Sequence, residues 1–504
     1  MNPLRTKKVV LFLPPYEGKA LGPCLSLLSL APPLRQAGFQ VSLIDAAFTP
    51  NYRQRIEKEI SDAGCFGLSL LTGPMIHAAI EVSQLVRRLH PEIPIVYGGW
   101  HPTLLPGQTL QAPYVDVIVR GQGEITFLEL LNCLQEGAPL SGVPGISYKA
   151  GTQIVHNPDR PVEFLQNLPT PAYDLVNTDE VEKACGIRKT VYASSVGCPY
   201  ACNYCTDTVF YHRRFNAINS ERVVREVIEL VRSQQLAEVS FLDSNFLVDV
   251  KRALAIARGI IESGTRFRWT FQASTDLFCK LTDEEVRLLA MAGVSHIGFG
   301  TESASLEVLA RMNKPHQKIR DMEETARKCH QADLKATLNL ILGFPGETES
   351  HRLETLQKMT AISMQYPNVC FSPNVFTAYP GIPIWPQLKA LGLKEPQTLE
   401  EWAEISLGRN RLPWFQGKEF QRAKRMVSCF MMAHQLRKAR FGKESDSGSP
   451  LLKSFLAALR WRIRHQFFRF PLELWLLKAN VPFVLRRSLL TGRSLGMDLE
   501  RIGS

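Results

Sequence analysis

Gly197-Cys198-Pro199-Tyr200-Ala201-Cys202-Asn203-Tyr204-Cys205 is the stretch on which the reading of this chain turns. Its three cysteines, spaced by three and then two residues just past an apolar run, can wrap one compact metal site. Thiolates suit zinc and iron–sulfur clusters alike. A structural zinc centre is normally closed by four ligands, and no fourth cysteine stands at matching spacing, although His212 follows downstream. Three ligands leave one position open, as a catalytic metal requires. The alternatives are a zinc site and three plain core cysteines.

The motif opens a series of βα units. Strand-like runs at Thr190–Ser195, Glu238–Leu242, Arg268–Ala273, His296–Gly300, Ala336–Leu342 and Val369–Phe376 alternate with helical periodicity at Arg222–Gln235, Lys251–Glu262 and Asp283–Ala292. Six such units predict a partial or full parallel barrel. Upstream, Val9–Leu13, Gln40–Ile44, Cys65–Leu70, Ile95–Tyr97 and Val115–Val119 predict a separate doubly wound, Rossmann-like α/β domain. Turn residues follow its strands at Pro14-Pro15, Thr72-Gly73-Pro74, Gly98-Gly99 and Gly121-Gln122-Gly123. Ligands bind at that edge of such a sheet, although glycines at one or two of these places need only make tight turns. The expected division is residues 1–150 for the first domain and 151–184 for a proline-marked connector. The barrel then takes 185–385, and a helical, basic C-terminal region takes 386–504.

The motif is similar to the defining signature of the radical S-adenosylmethionine (SAM) superfamily, over about Lys189 to Ile384. That resemblance implies a [4Fe-4S] cluster held by Cys198, Cys202 and Cys205, with SAM chelating the fourth iron and cleaved on reduction to a 5′-deoxyadenosyl radical. It places Tyr204 beside the adenine. Gly298-Phe299-Gly300-Thr301-Glu302-Ser303 resembles the family's Gly-x-Glu-Ser turn, implying that Glu302 faces SAM. The turn from Gly343 to Glu347 resembles the adenine-side loop, and Ala378 to Pro383 the closing turn, with Ile382 where Thr is usual. Many relatives hold the SAM amino group with a Gly-Glu-rich turn after the second strand. Here Asp243-Ser244-Asn245 stands there, and Asp243 is the expected substitute.

The first domain resembles the cobalamin-binding domain fused to one large branch of these enzymes. The resemblance runs through Gly22-Pro23 to Ile44-Asp45, Ser69 to Thr72, Gly98 to Pro102, and Gly121 to Glu124. It implies cobalamin contacts from Ser69, Thr72, Gly98, Gly99, Gly121 and Glu124. The loop after the first strand, Pro14-Pro15-Tyr16-Glu17-Gly18, lacks the cobalt-ligating histidine of classical cobalamin enzymes. Either cobalt has no protein nitrogen ligand or the cofactor has been lost. His77 and His101 read as ordinary polar residues. The branch as a whole implies a C-methyltransferase acting on an unactivated carbon of a lipid-like or other secondary-metabolite substrate, with cyclisation, oxidation or rearrangement as alternatives on the same cofactors. A non-catalytic iron–sulfur or nucleic-acid-binding protein is the alternative from another class. The expected partners are a small-molecule or lipid-like substrate and an electron donor such as flavodoxin or ferredoxin. Nucleic acid is not expected: the first domain lacks the tRNA-methylthiolating cysteines, holding only Cys24, Cys65 and Cys133.

A length of 504 residues predicts two or three domains, and 45% apolar with 21% charged residues excludes a disordered chain. No apolar run is long enough to span a bilayer. The start of the chain leads straight into a strand rather than a secretory signal, so a cytoplasmic protein with reduced cysteines is expected. The net charge of +11 is concentrated after Gly408, where roughly twenty cations face about six acids. There Trp461, Phe467, Phe468, Phe470, Trp475 and Phe483 mix with arginines. Such a segment suits either peripheral contact with the inner membrane face or packing on the barrel with its arginines in water.

Overall fold

A computed structural model describes residues 3–16, 18, 20–406, 411–441 and 450–469. The aromatic positions Phe470, Trp475 and Phe483 of the basic tail lie outside them. The first sheet holds β1 (Lys8–Leu13), β2 (Gln40–Asp45), β3 (Cys65–Ser69), β4 (Ile95–Gly98), β5 (Val117–Val119), β6 (Ile146–Ala150) and β7 (Gln153–His156). Its order is β2-β1-β3-β4-β5-β6-β7, parallel through β5 and antiparallel beyond it. The apolar run Val9–Phe12 is wholly buried, as a strand covered on both faces must be. Helices Leu25–Gln36 and Glu124–Glu136 pack together, as do Tyr52–Ile60 and Met75–Leu89. Because the chain leaves β1 in one direction for β2 and returns in the other for β3, right-handed crossovers put the two pairs on opposite faces. The reversal opens a crevice between β1 and β3, where ligands of such sheets lie.

The hairpin β6–β7, unforeseen in the sequence, extends this sheet by two antiparallel strands and straddles residues 150 and 151. The connector therefore begins inside the sheet. It continues through a helix, Thr178–Cys185, whose Asn177 side chain accepts the backbone N–H groups of Asp179 and Glu180.

The second sheet contains β8 (Lys189–Tyr192), β11 (Glu238–Phe241), β12 (Arg268–Ala273), β13 (Val294–Glu302), β14 (Lys335–Leu342) and β15 (Val369–Val375). All its pairs are parallel, in the order β15-β14-β13-β12-β11-β8. Among the described residues its outer strands do not meet, so the barrel is partial and open. Two short strands, β9 (Ser195–Val196) and β10 (Asn216–Ala217), pair antiparallel and close the base of the cysteine loop. Beyond β15 come the helices Trp385–Ala390, Leu399–Ala403, Gly417–Phe441 and Pro450–Arg464. Trp385, Leu388, Leu399 and Trp402 are buried in the core of the first domain. The C-terminal region thus begins by covering that domain, not the barrel alone. No helix among the described residues is long and apolar enough to cross a membrane.

Candidate functional site

The cysteine loop leaves β9 through Gly197, whose φ of +76° favours glycine. A Cβ there would lie 2.0 Å from the Arg214 carbonyl oxygen, so no side chain fits. Cys202 is buried, and Cys198 and Cys205 are half-buried. Burial raises the pKa of all three thiols, that of Cys205 to about 12. The three thiols share one short loop closed at its base by the β9–β10 pair, so the donor set suits a thiolate-held cluster. They are not already closed around a metal: among the described residues, no three His, Cys, Asp or Glu side chains stand in ligating geometry. Binding a metal would displace their protons.

Tyr204 and Glu302 meet, the phenol donating to Glu302 Oε1 at 3.0 Å. The meeting depends on a residue with no sequence signal, Lys314. Its ammonium donates to the same Oε1 at 3.0 Å and to the Gly300 carbonyl at 2.8 Å. Glycine at 300 leaves room for the carboxylate, since a Cβ there would lie 2.7 Å from Glu302 Oε1. Glu302 itself takes φ of +59°, a conformation rare outside glycine and asparagine. A lone lysine in Met312-Asn313-Lys314-Pro315 reads as a surface residue; only the fold shows it buried.

Asp243 follows β11, and its side chain is held by the neighbouring turn. It is fully buried, with Oδ2 accepting the Ser194 N–H at 3.0 Å and Oδ1 accepting the Ser194 hydroxyl at 2.6 Å and that of Ser195. Its carboxylate is committed to the turn between β8 and β9, and burial raises its pKa. Gly343 also sits under protein rather than at an open edge. Phe415 covers it so closely that a Cβ would fall 2.3 Å from the ring, and Trp414 Nε1 donates to its carbonyl at 2.9 Å. Glu347 folds back to accept the Gly343 N–H.

In the first domain, Ser69, Gly98, Gly99, Gly121 and Glu124 line one cavity of about 650 Å³ at the carboxyl edge of β1, β3, β4 and β5. Thr72 does not: its hydroxyl bonds His101 Nδ1 at 2.9 Å. That histidine is wholly buried against Trp402, and burial lowers its pKa to about 4. His77 is an exposed partner of Glu404 at 3.0 Å. The glycines shape a cradle. At Gly99, with φ of +93°, a Cβ would stand 2.8 Å from the Leu70 backbone; at Gly123 it would stand 2.9 Å from Leu30. The wall is mostly apolar, and from the loop after β1 it takes Tyr16. A glycine-floored, apolar crevice at a switch point suits a large nucleotide-tailed cofactor. The cavity is shared with the second domain, which contributes Val196, Phe210, Tyr211 and Ser244. Phe210 and Tyr211 belong to the segment that leaves the cysteine loop after Cys205. The cradle and the cysteine loop are therefore adjacent.

Comparison with known proteins agrees with this two-part site. Residues 19–131 match the B12 binding domain and residues 192–359 the radical SAM superfamily. The chain is 31% identical over 395 residues to an uncharacterized methyltransferase of Pyrococcus horikoshii, spanning 76% of this chain and 83% of that one. It is 26% identical over 369 residues to the anaerobic magnesium-protoporphyrin IX monomethyl ester cyclase of Synechocystis, covering 71% of this chain and 72% of the cyclase. Against the hopanoid C-3 methylase of Methylococcus capsulatus it is 23% identical over 398 residues, covering 76% and 70%. Among solved structures, the cobalamin-dependent SAM radical enzyme OxsB superposes with a TM-score of 0.70 at 16% identity, covering 98% of this chain and 78% of OxsB. The chain belongs to the cobalamin-binding branch of the radical SAM enzymes, whose cofactors are a [4Fe-4S] cluster, SAM and cobalamin.

Proposed function

We propose that the protein is a C-methyltransferase acting on an unactivated carbon of a lipid-like molecule. The observation that carries this reading is the single cavity, walled by the glycine cradle of the first domain and by residues flanking the cysteine loop of the second. When bound, the cluster and SAM supply a carbon-centred radical and cobalamin supplies the methyl group. The chain's own contribution is placement. In this reading Cys198, Cys202 and Cys205 hold the cluster, Tyr204 and Glu302 flank SAM, and Gly343 shapes the backbone beside the adenine. Ser69, Gly98, Gly99, Gly121 and Glu124 seat cobalamin. The apolar wall excludes water from the reacting groups, which keeps a radical from being quenched. A redox protein of the flavodoxin or ferredoxin class supplies the electron.

A lipid-like substrate is supported by two observations. The hopanoid methylase is among the relatives, and two aromatics near and beyond the end of the helix Pro450–Arg464 are exposed, Trp461 by 53% and Phe467 by 43%. Arg460, Arg464 and Arg469 stand beside them without an acid between 450 and 469, the composition of a segment seated on anionic headgroups.

The test is anaerobic reconstitution with iron, sulfide and hydroxocobalamin. Reduction with dithionite in the presence of methyl-deuterated SAM and an isoprenoid lipid extract then follows. Deuterated methyl in a lipid, with S-adenosylhomocysteine and 5′-deoxyadenosine both formed, is the expected result. Deoxyadenosine without homocysteine product or methylated lipid would overturn methyl transfer in favour of another radical outcome.

A further inference from the structure

Lys314 is nearly inaccessible, its side chain 6% exposed against 10% for that of Glu302. A buried ammonium is tolerated only when its donors are met. Here all three are: Glu302 and the Gly300 carbonyl take two, and the Tyr204 hydroxyl stands at 3.5 Å from the third. The backbone carrying it is fastened to the cysteine loop. Asn203 N–H donates to the Met312 carbonyl at 3.1 Å, and its Nδ2 donates to that of Arg311 at 2.8 Å. Asn313 Nδ2 returns a bond to the Ala201 carbonyl at 2.6 Å. The chain thus presents a fixed cation to the inner side of the loop. The Lys314 ammonium stands against Tyr204, the residue that lies between Cys202 and Cys205 in the loop.

Stability alone does not call for such an arrangement, since a buried ion pair can often be replaced by apolar side chains without loss. Proximity to the thiols gives it a use. Reduction adds one electron to a cluster already made anionic by three thiolates, and a nearby buried cation lowers the cost of that added charge.

Building on the functional reading above, we infer that Lys314 is a positioning residue that locks Glu302 against Tyr204 and makes the iron–sulfur cluster easier to reduce. Glu302 acts in the opposite sense on the potential, so the pair tunes it.

The full chain, reconstituted anaerobically, is titrated with dithionite in the presence of redox mediators, and the reduced-cluster signal is read by electron paramagnetic resonance. Lys314→Met is expected to move the midpoint to more negative potential and Glu302→Gln to more positive potential. The double variant is expected to return towards wild type, and Lys314→Arg to stay near it. A purely structural lysine gives no such opposed signs. If Lys314→Met loads no cluster, the direction of the Glu302→Gln shift decides. Midpoints that coincide in all loaded proteins, or shifts of the same sign, overturn the inference while leaving the functional reading intact. A wild-type protein that binds no cluster sinks both.

Discussion

Trp100 and Phe210 lie face to face across the two domains, ring centroids 4.3 Å apart and planes 22° from parallel. Tyr211 meets the same indole edge-on at 5.8 Å. Trp100 follows the Gly98-Gly99 turn and Phe210 follows the cysteine loop, so this stack ties the cobalamin cradle to the cluster loop. Aromatic pairs of this geometry contribute about 0.5–1.5 kcal/mol beyond area burial. A double-mutant cycle of Trp100→Ala and Phe210→Ala, read by chemical unfolding, is expected to return a coupling in that range. Strictly additive losses would mean that the contact does not join the domains.

Gly99→Ala is expected to separate the cofactors. The added methyl meets the Leu70 backbone at 2.8 Å and Ser69 Oγ at 2.9 Å, at a φ that side chains avoid. The cradle must shift, whereas the cysteine loop lies on another sheet. Cobalamin extracted from the purified variant should fall well below wild type while iron and sulfide stay unchanged. Equal loss of both would show that the strain is passed to the cysteine loop through the Trp100–Phe210 stack, against this expectation.

Asp243→Asn turns an acceptor towards the Ser194 N–H into a donor or unpairs two buried hydroxyls. Leaving buried groups unmet costs about 1–3 kcal/mol. The unfolding midpoint should drop while SAM affinity, measured by equilibrium dialysis on loaded protein, holds. The converse result, weakened SAM binding at full stability, would restore the aspartate to the role its sequence position suggested.

Glu347 carries a pH signature. Burial lifts its pKa from 4.5 to about 7, against the pull of Arg352 at 3.3 Å. That guanidinium is shared with Glu419 at 2.6 Å. Because the folded value exceeds the unfolded one, the folded state holds the proton more tightly. The stability contributed is present in full below pH 4.5 and lost as pH rises through about 7. In Glu347→Gln the fall of thermal midpoint across that window should flatten. An unchanged slope would show that the group titrates normally.

Much of this architecture was legible because parallel strands buried on both faces declare themselves as apolar runs, as at Val9–Phe12 and Ala336–Leu342. The cysteine spacing was equally plain, being local. The hairpin β6–β7 escaped because polar residues such as Lys149, Gln153 and His156 lie partly or fully exposed along it, so it shows no apolar run. Lys314 escaped because burial of a cation is decided by partners distant in sequence. Asp243 and Thr72 stood at the expected strand ends, yet their side chains turned to Ser194 and His101. Position along a chain fixes where a residue starts, not which way its polar atoms point.

The two hydrophobic interiors are not separate. Leu28, from the first domain, is packed into the second core, while Val308, Met312 and Phe344 belong to the first. Gly22 lies so close to β8 that a Cβ would stand 2.9 Å from Val191. Halves dovetailed in this way have no hinge to swing on. Neither half retains its buried surface without the other, so heating should produce one calorimetric peak instead of two.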